Sequence, residues 1–161
     1  MFDAIDIAIL RLLQRDARLA NAEIARQVGM APSAVFERIR KLEEGGVVTG
    51  YGARIDPTRL GLGLLAFISI RTVGGCADAS VGQRLSELPE VLEVHDVAGD
   101  DCYIVKVRVA DTGALSRLLK ERVGTIPNIQ STRTTVVLST VKETSELPLP
   151  QASAPREARR G

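Results

Sequence analysis

From Ile5 to Leu13 the apolar residues fall at Ile5, Ile9, Leu12 and Leu13, the spacing of one face of an α-helix. The stretch "RLANAEIARQVG" repeats that period with Ile24, Ala25 and Val28, and predicts a second helix capped by Asn21 and stopped at Gly29. In "MAPSAVFERIRKLEEGG" a third helix opens with Pro32 at its first position and buries Val35, Ile39 and Leu42. Gly45-Gly46 ends it. Three short helices with a tight glycine turn before the last predict a tri-helical, winged-type helix-turn-helix over residues 1–50. The texture then changes: "VVTGYGARIDP" is β-branched and turn-rich, and predicts a strand feeding a linker over residues 51–62.

Beyond the linker, alternation and helical spacing take turns. Strands are predicted at 64–73, 90–98, 103–110 and 129–141, with helices at 78–88 and 111–123 between the members of each pair. "LPEV" and "IPNI" form matching hinges, each with a proline that ends a helix before an apolar residue starts the next strand. Two βαβ units joined by a hairpin at Gly99–Asp101 make a ferredoxin-like βαββαβ sandwich over residues 63–142, and the whole chain an α+β protein. With the turn centred on Asp100–Asp101, His95, Val97, Ile104 and Lys106 share one face. Asp96, Ala98, Tyr103 and Val105 share the other. His95 then stands opposite Lys106, and Glu93 opposite Arg108. The closing stretch, residues 143–161, ends in "ELPLPQASAPREARRG", carries neither period and is expected to be flexible.

The composition supplies a core, with 45% apolar and 25% charged residues, and a net charge of +1 exerts no global pull on nucleic acid or membrane. No apolar run reaches the ~20 residues of a membrane span. The N-terminal pattern is interrupted by acids and arginines and lacks a signal cleavage site, so a soluble cytoplasmic protein is expected. Cys76 and Cys102 fall in no metal or paired spacing, which argues against a disulfide framework or a zinc finger and leaves Cys76 a surface loop residue.

The chemistry-bearing types gather around the hairpin: His95, Asp96, Asp100, Asp101 and Cys102. Strand alternation scatters them, so no convergent metal set is predicted. No second histidine and no nucleophile beside a base are present. An enzyme is not expected, nor a cofactor, and Gly-Asp-Asp first of all makes a turn.

The third helix directs Ser33, Ala34, Phe36, Glu37, Arg38, Arg40 and Lys41 outward. In a helix-turn-helix such a surface enters the major groove, where Ser33 and Arg38 reach base edges and Phe36 meets thymine methyls. Arg26, Arg40 and Lys41 supply phosphate contacts, and Asn21, at the start of the neighbouring helix, is also expected at the DNA. Yet residues 1–50 hold seven basic and seven acidic side chains. Spacing and charge therefore leave two readings, a DNA-binding domain or a protein-interaction module.

From Ile5 through "PSAVFERIRKLEEGGVVTGYGARIDPTRLGLGLLAF", "LPEVLEVHDVAGDDCYIVKV" and "IPNIQSTRTTVVLSTVKETSELPL" to Leu149, the chain resembles the Lrp/AsnC (leucine-responsive, feast/famine) transcription regulators. That resemblance implies a double-stranded DNA partner and dimers formed through the βαββαβ domain. It also implies higher assemblies such as octamers, and a small effector such as an amino acid or related metabolite. A sensing module without direct DNA binding is the alternative. The resemblance further implies that the effector meets the hairpin, at Gly99, Asp100, Asp101, Cys102 and Tyr103, with Thr132 and Thr134 nearby. Two residues depart from the family pattern. Ala31 replaces the serine usual before the proline of the third helix, and Cys102 replaces a second aspartate.

Overall fold

The computed structural model describes residues 2–76 and 79–150. The chain forms two compact units, one comprising the stretch up to Arg54 together with the segment from Glu143, the other Ile55–Lys142.

The first unit is built on α1 (Ala4–Arg15), α2 (Asn21–Val28) and α3 (Pro32–Glu44). Asp3 begins α1 with a capping box: its carboxylate accepts the Asp6 amide at 2.8 Å, and the Asp6 carboxylate accepts the Asp3 amide at 3.1 Å. α2 departs from expectation at its start. Ala20 is the N-cap and makes no side-chain bond, while Asn21 already lies inside the helix. Gly29 closes α2 in the left-handed region at φ 69°, where a side chain would be strained. Ile9, Ile24, Val35 and Leu42 meet in the core between the three helices. Arg38 ties α3 to the start of α1, its Nη1 lying 2.7 Å from Asp3 and 2.6 Å from Asp6.

The strand expected over 47–57 does not form. This stretch has no neighbouring strand to pair with, and Val48 instead packs on the helical core. The expected flexible tail is corrected in part. Leu149 packs against the same core, and Gln14 brackets Leu147, donating to its carbonyl at 3.3 Å and accepting its amide at 2.7 Å. Arg11 donates to the carbonyls of Leu149 and Pro150, and Arg54 pairs with Glu146 at 3.2 Å. One packed leucine and a set of main-chain bonds thus hold residues 147–150 in place. Residues 151–161 of that tail lie outside the described residues.

The second unit runs β1 (Leu64–Thr72), α4 (Ala79–Ser86), β2 (Val91–Asp96), β3 (Tyr103–Val109), α5 (Thr112–Arg117) and β4 (Ile129–Val136). A short 3₁₀ turn, Thr58–Leu60, precedes β1, and α5 continues through a π-turn (Leu118–Arg122) and a 3₁₀ turn (Val123–Thr125). Asp111 caps α5, accepting the Ala114 amide. The four strands are antiparallel in the order β2-β3-β1-β4, which is the βαββαβ arrangement. Ile68, Ile70, Val105 and Val107 project from the central strands onto Val81 and Leu85 of α4, Leu115 of α5 and Leu118 of the π-turn after it. Each such side chain gains about 1.5–3 kcal/mol on leaving water. β4 ends five residues earlier than the pattern suggested, because β1 offers its last main-chain partner at Leu65, which accepts the Val137 amide.

The hairpin register also differs from expectation. His95 pairs with Ile104 and Glu93 with Lys106, while a bulge between Val91 and Glu93 shifts what precedes them. The turn is centred one residue earlier, on Gly99–Asp100, where Gly99 takes φ 150°. Glu93 therefore bonds Lys106 at 3.0 Å rather than Arg108.

Two predictions follow from these contacts. A Cβ placed on Gly82 would lie 2.8 Å from the Tyr103 ring, which is 4% exposed and cannot swing away. Gly82→Ala is expected to destabilise the second unit by about 1–3 kcal/mol despite the better helix propensity of alanine, read as a lower denaturant midpoint. The second concerns Asp3, whose carboxyl is held below its ordinary value by the Asp6 amide and then by Arg38. A depressed carboxylate contributes stability that is complete above its ordinary pKa and is lost as pH falls through the folded value. Arg38→Ala should therefore lower the thermal midpoint of the helical unit at pH 7, with the gap to the parent closing as pH drops below about 4.

Candidate functional site

The first candidate surface is the outer face of α3. Inward placement of Val35, Ile39 and Leu42 leaves Ser33, Phe36, Glu37, Arg40 and Lys41 exposed and Ala34 half-buried. Phe36 is 53% exposed, an unusual position for a phenylalanine in a structure whose core has room for apolar residues. It lines a shallow depression with Asn21, Leu19 and Arg40. Arg38 differs from its neighbours. Its guanidinium bonds the carboxylates of Asp3 and Asp6 at the start of α1.

The other cations are held differently. Arg26 makes two bonds to Glu23, at 2.9 and 2.5 Å, and with Gln27 it holds the Glu23 carboxyl down to about 2. Arg40 bonds Glu37 and Glu44. Both pairs lie in solvent, where screening leaves them weak. Lys41 is exposed and has no ion-pair partner among the described residues. The main chain adds its own donors. Neither Ala20 nor Ala31 caps its helix with a side chain, so α2 and α3 both begin with first-turn amides that no side chain occupies. In the sequence the alanine at 31 stands out only as a departure from the serine usual before the proline of α3. That both helices of the motif start without a side-chain cap is not marked there, although Asp3 and Asp111 cap α1 and α5.

The second candidate is the β2–β3 hairpin. Gly99 and Asp100 are exposed at its tip. Two arginines unmarked in the sequence hold it from neighbouring strands: Arg71 Nε donates to the Asp100 carbonyl at 2.9 Å, and Arg133 Nη2 donates to the Asp101 carboxylate at 2.8 Å. Their signal was available only through pairing, since Arg71 lies on β1, which runs beside the hairpin, and Arg133 on β4, one strand further out.

Tyr103 is buried beneath Gly82 rather than presented to solvent. Thr132 pairs with Ile70, which pairs in turn with Tyr103, so tyrosine and threonine share a row two strand spacings apart, roughly 10 Å. Thr134 occupies the same face one row on, opposite Ile68. Tyr103 and the two threonines thus stand two strands apart within a single chain.

Cys102 overturns its expected role most clearly. It is 1% exposed and joined to Cys76 in a disulfide, with Cα atoms 4.9 Å apart. It therefore presents no thiol to an effector, and Cys76 is not a plain surface residue. The pairing had no short motif to announce it, because 26 residues separate the two.

His95 lies on the sheet face away from α4 and α5, its Nε2 3.0 Å from Glu93, whose carboxyl is held below its ordinary value first by His95 and then by Lys106. Among the described residues no three His, Cys, Asp or Glu side chains converge as a metal set.

These two surfaces map onto known domains. The AsnC-type helix-turn-helix domain family matches residues 2–43, and the Lrp/AsnC ligand binding domain family matches residues 65–147. The HTH-type transcriptional regulator FL11 of Pyrococcus horikoshii is 40% identical over 147 residues, covering 91% of this chain and 96% of its own. The leucine-responsive regulatory protein of Escherichia coli is 38% identical over 147 residues, covering 90% of each chain. The feast or famine regulatory protein of M. tuberculosis, solved in complex with L-methionine, superposes with a TM-score of 0.86 at 37% identity, covering 93% of this chain and 100% of that one. With a helix-turn-helix surface on one unit and a βαββαβ ligand-binding unit beside it in sequence, this chain belongs to the Lrp/AsnC family of transcriptional regulators.

Proposed function

We propose that α3 is the recognition helix and that its first two turns, Ser33, Ala34, Phe36 and Glu37, face the bases of the major groove. The observation that carries this reading is the exposed Phe36 on a helix whose opposite face is fully committed to the core. An apolar ring at that place has thymine methyl groups as its natural partner. The first amides of α2, at Asn21 and Ala22, and the Ser33 amide of α3, which no side chain caps, suit phosphate oxygens, aided by the positive end of each helix dipole. Lys41 supplies a phosphate contact at once. Arg26 and Arg40 supply theirs by exchanging a glutamate for a phosphate, and that exchange makes net affinity modest until two or more units bind together. Arg38 acts as a positioning residue through Asp3 and Asp6.

The ligand-binding unit takes an amino acid or related metabolite at the hairpin tip, where the exposed Gly99 and Asp100, beside the Asp101 carboxylate that bonds Arg133, offer acceptors to an ammonium group. The M. tuberculosis relative was solved with L-methionine, which makes that amino acid the first probe. Because Thr132 and Thr134 stand two strands from Tyr103 within one chain, the site is completed by a second copy of this chain.

The sheet face away from the helices supports a homodimer. Phe67 and Ile104 are 37% and 36% exposed there, side by side with the Glu93–Lys106 pair. Dimers assemble further into species such as octamers, and the effector acts by shifting which assembly is favoured, in proportion to its differential affinity. In this reading the protein is not an enzyme and works in the cytoplasm where the DNA is. No described helix is long and apolar enough to cross a membrane.

The test is an electrophoretic shift on the protein's own upstream DNA over a salt series. Lys41→Ala should weaken binding on every sequence and lower the salt slope by about 1, whereas Phe36→Ala should change which sequence is preferred. A shift that is absent or insensitive to salt overturns the DNA reading. In the same assay L-methionine should alter the pattern of shifted species, and Asp101→Ala should abolish that response.

A further inference from the structure

The Cys76–Cys102 disulfide joins two turns at one end of the sheet, and its two halves are held unequally. Cys102 is fixed by the ladder, its amide donating to the Ile70 carbonyl at 2.8 Å. Cys76 is exposed, in a turn where Gly74 and Gly75 take φ 79° and 88°. Between them stands Thr72, 2% exposed, whose hydroxyl lies 2.6 Å from the Gly75 carbonyl and 3.3 Å from Cys102 Sγ. That hydroxyl serves either form of the sulfur. A reduced Cys102 keeps a polar neighbour in the core, and the glycine turn relaxes without strain.

The hairpin sits on this junction. Cys102 directly follows Asp101, and Arg71, which holds the Asp100 carbonyl, directly precedes Thr72. Reduction therefore loosens the end of β1 and the base of the hairpin together.

We propose that Cys76 and Cys102 are a redox-reversible pair whose disulfide rigidifies the Gly99–Tyr103 hairpin, making thiol–disulfide status a second input to this regulator. Its effect on effector binding rests on the hairpin reading above; the redox chemistry and the change in the hairpin do not.

The oxidant is a low-molecular-weight disulfide of the glutathione type. The Cys76 thiolate attacks it, forms a mixed disulfide and releases one small thiol. The Cys102 thiolate then attacks Cys76 Sγ and releases the second. Two cysteine thiols are oxidised, one external disulfide is reduced to two thiols, and the protons pass to the released thiolates. In the reverse direction a small thiol attacks the exposed Cys76 sulfur and Cys102 leaves as the thiolate.

The experiment uses the full chain equilibrated across a series of reduced-to-oxidised glutathione ratios. Differential alkylation with mass spectrometry reads the pair, hydrogen exchange of a peptide spanning residues 97–103 reads the hairpin, and calorimetry with L-methionine reads the effector. The pair is expected to interconvert with the fold intact by circular dichroism, and hairpin exchange to be roughly fivefold or more faster when it is reduced. Cys76→Ser, a change at an exposed position, should show the fast exchange at every ratio. L-methionine should bind the two forms with roughly tenfold different affinity, and by reciprocity should move the midpoint of the couple by about 30 mV.

A disulfide that never forms, one that yields only when the chain unfolds, or hairpin exchange that is equal in both states overturns the proposal. Equal L-methionine affinity in the two forms overturns the coupling to effector. If L-methionine binds neither form while hairpin exchange still follows redox state, the effector reading fails and the redox pair stands.

Discussion

The pairing of β1 with β3 on one side and β4 on the other is the interaction on which the second unit depends. It is antiparallel on both sides, so one end of the sheet collects the start of β3, the end of β1 and the early part of β4. Everything distinctive about the hairpin comes from that gathering. Arg71 comes from β1 and Arg133 from β4, and Cys76 follows the end of β1, yet all three act on residues 100–102. None of these contacts is local in sequence. They exist because a buried ladder of Ile68, Ile70, Val105 and Val107 fixes the register, and a slip of one residue would turn that ladder to solvent.

In the first unit the equivalent constraint is a polar one. The three helices meet over a small apolar core, and the Arg38 brace to Asp3 and Asp6 adds direction to it. A recognition surface needs orientation more than it needs binding strength, since a base contact fails when the helix tilts. Arg38 thus links the middle of α3 to the start of α1 through two carboxylates.

The sequence made the periodic parts of the molecule readable. The 3.6-residue spacing of α1 to α3 and the alternation of β1 and β3 each follow from one-sided burial, which writes itself directly into the residue order. What stayed hidden was either long-range or aperiodic. The Arg38 partners stand 32 and 35 residues away. The bulge after Val91 changes the register by a single residue and leaves no residue type as its mark. Asn21 has the right chemistry for a cap and stands one position too late to serve as one. The segment through Leu147 and Leu149 has no period to report, because a short extended stretch held by Gln14 and Arg11 needs only one apolar contact, that of Leu149.

That last segment bears on how such a protein can be taken apart. The helical unit is discontinuous: its core is closed by residues that the ribosome delivers only after the whole ligand-binding unit has emerged. The ligand-binding unit is in effect an insertion within the DNA-reading one. Recombination that swapped sensors at a single crossover would strand the closing segment with the wrong partner. New combinations in such a lineage therefore require two matched junctions, or a helical unit that has learned to do without its final turn of chain.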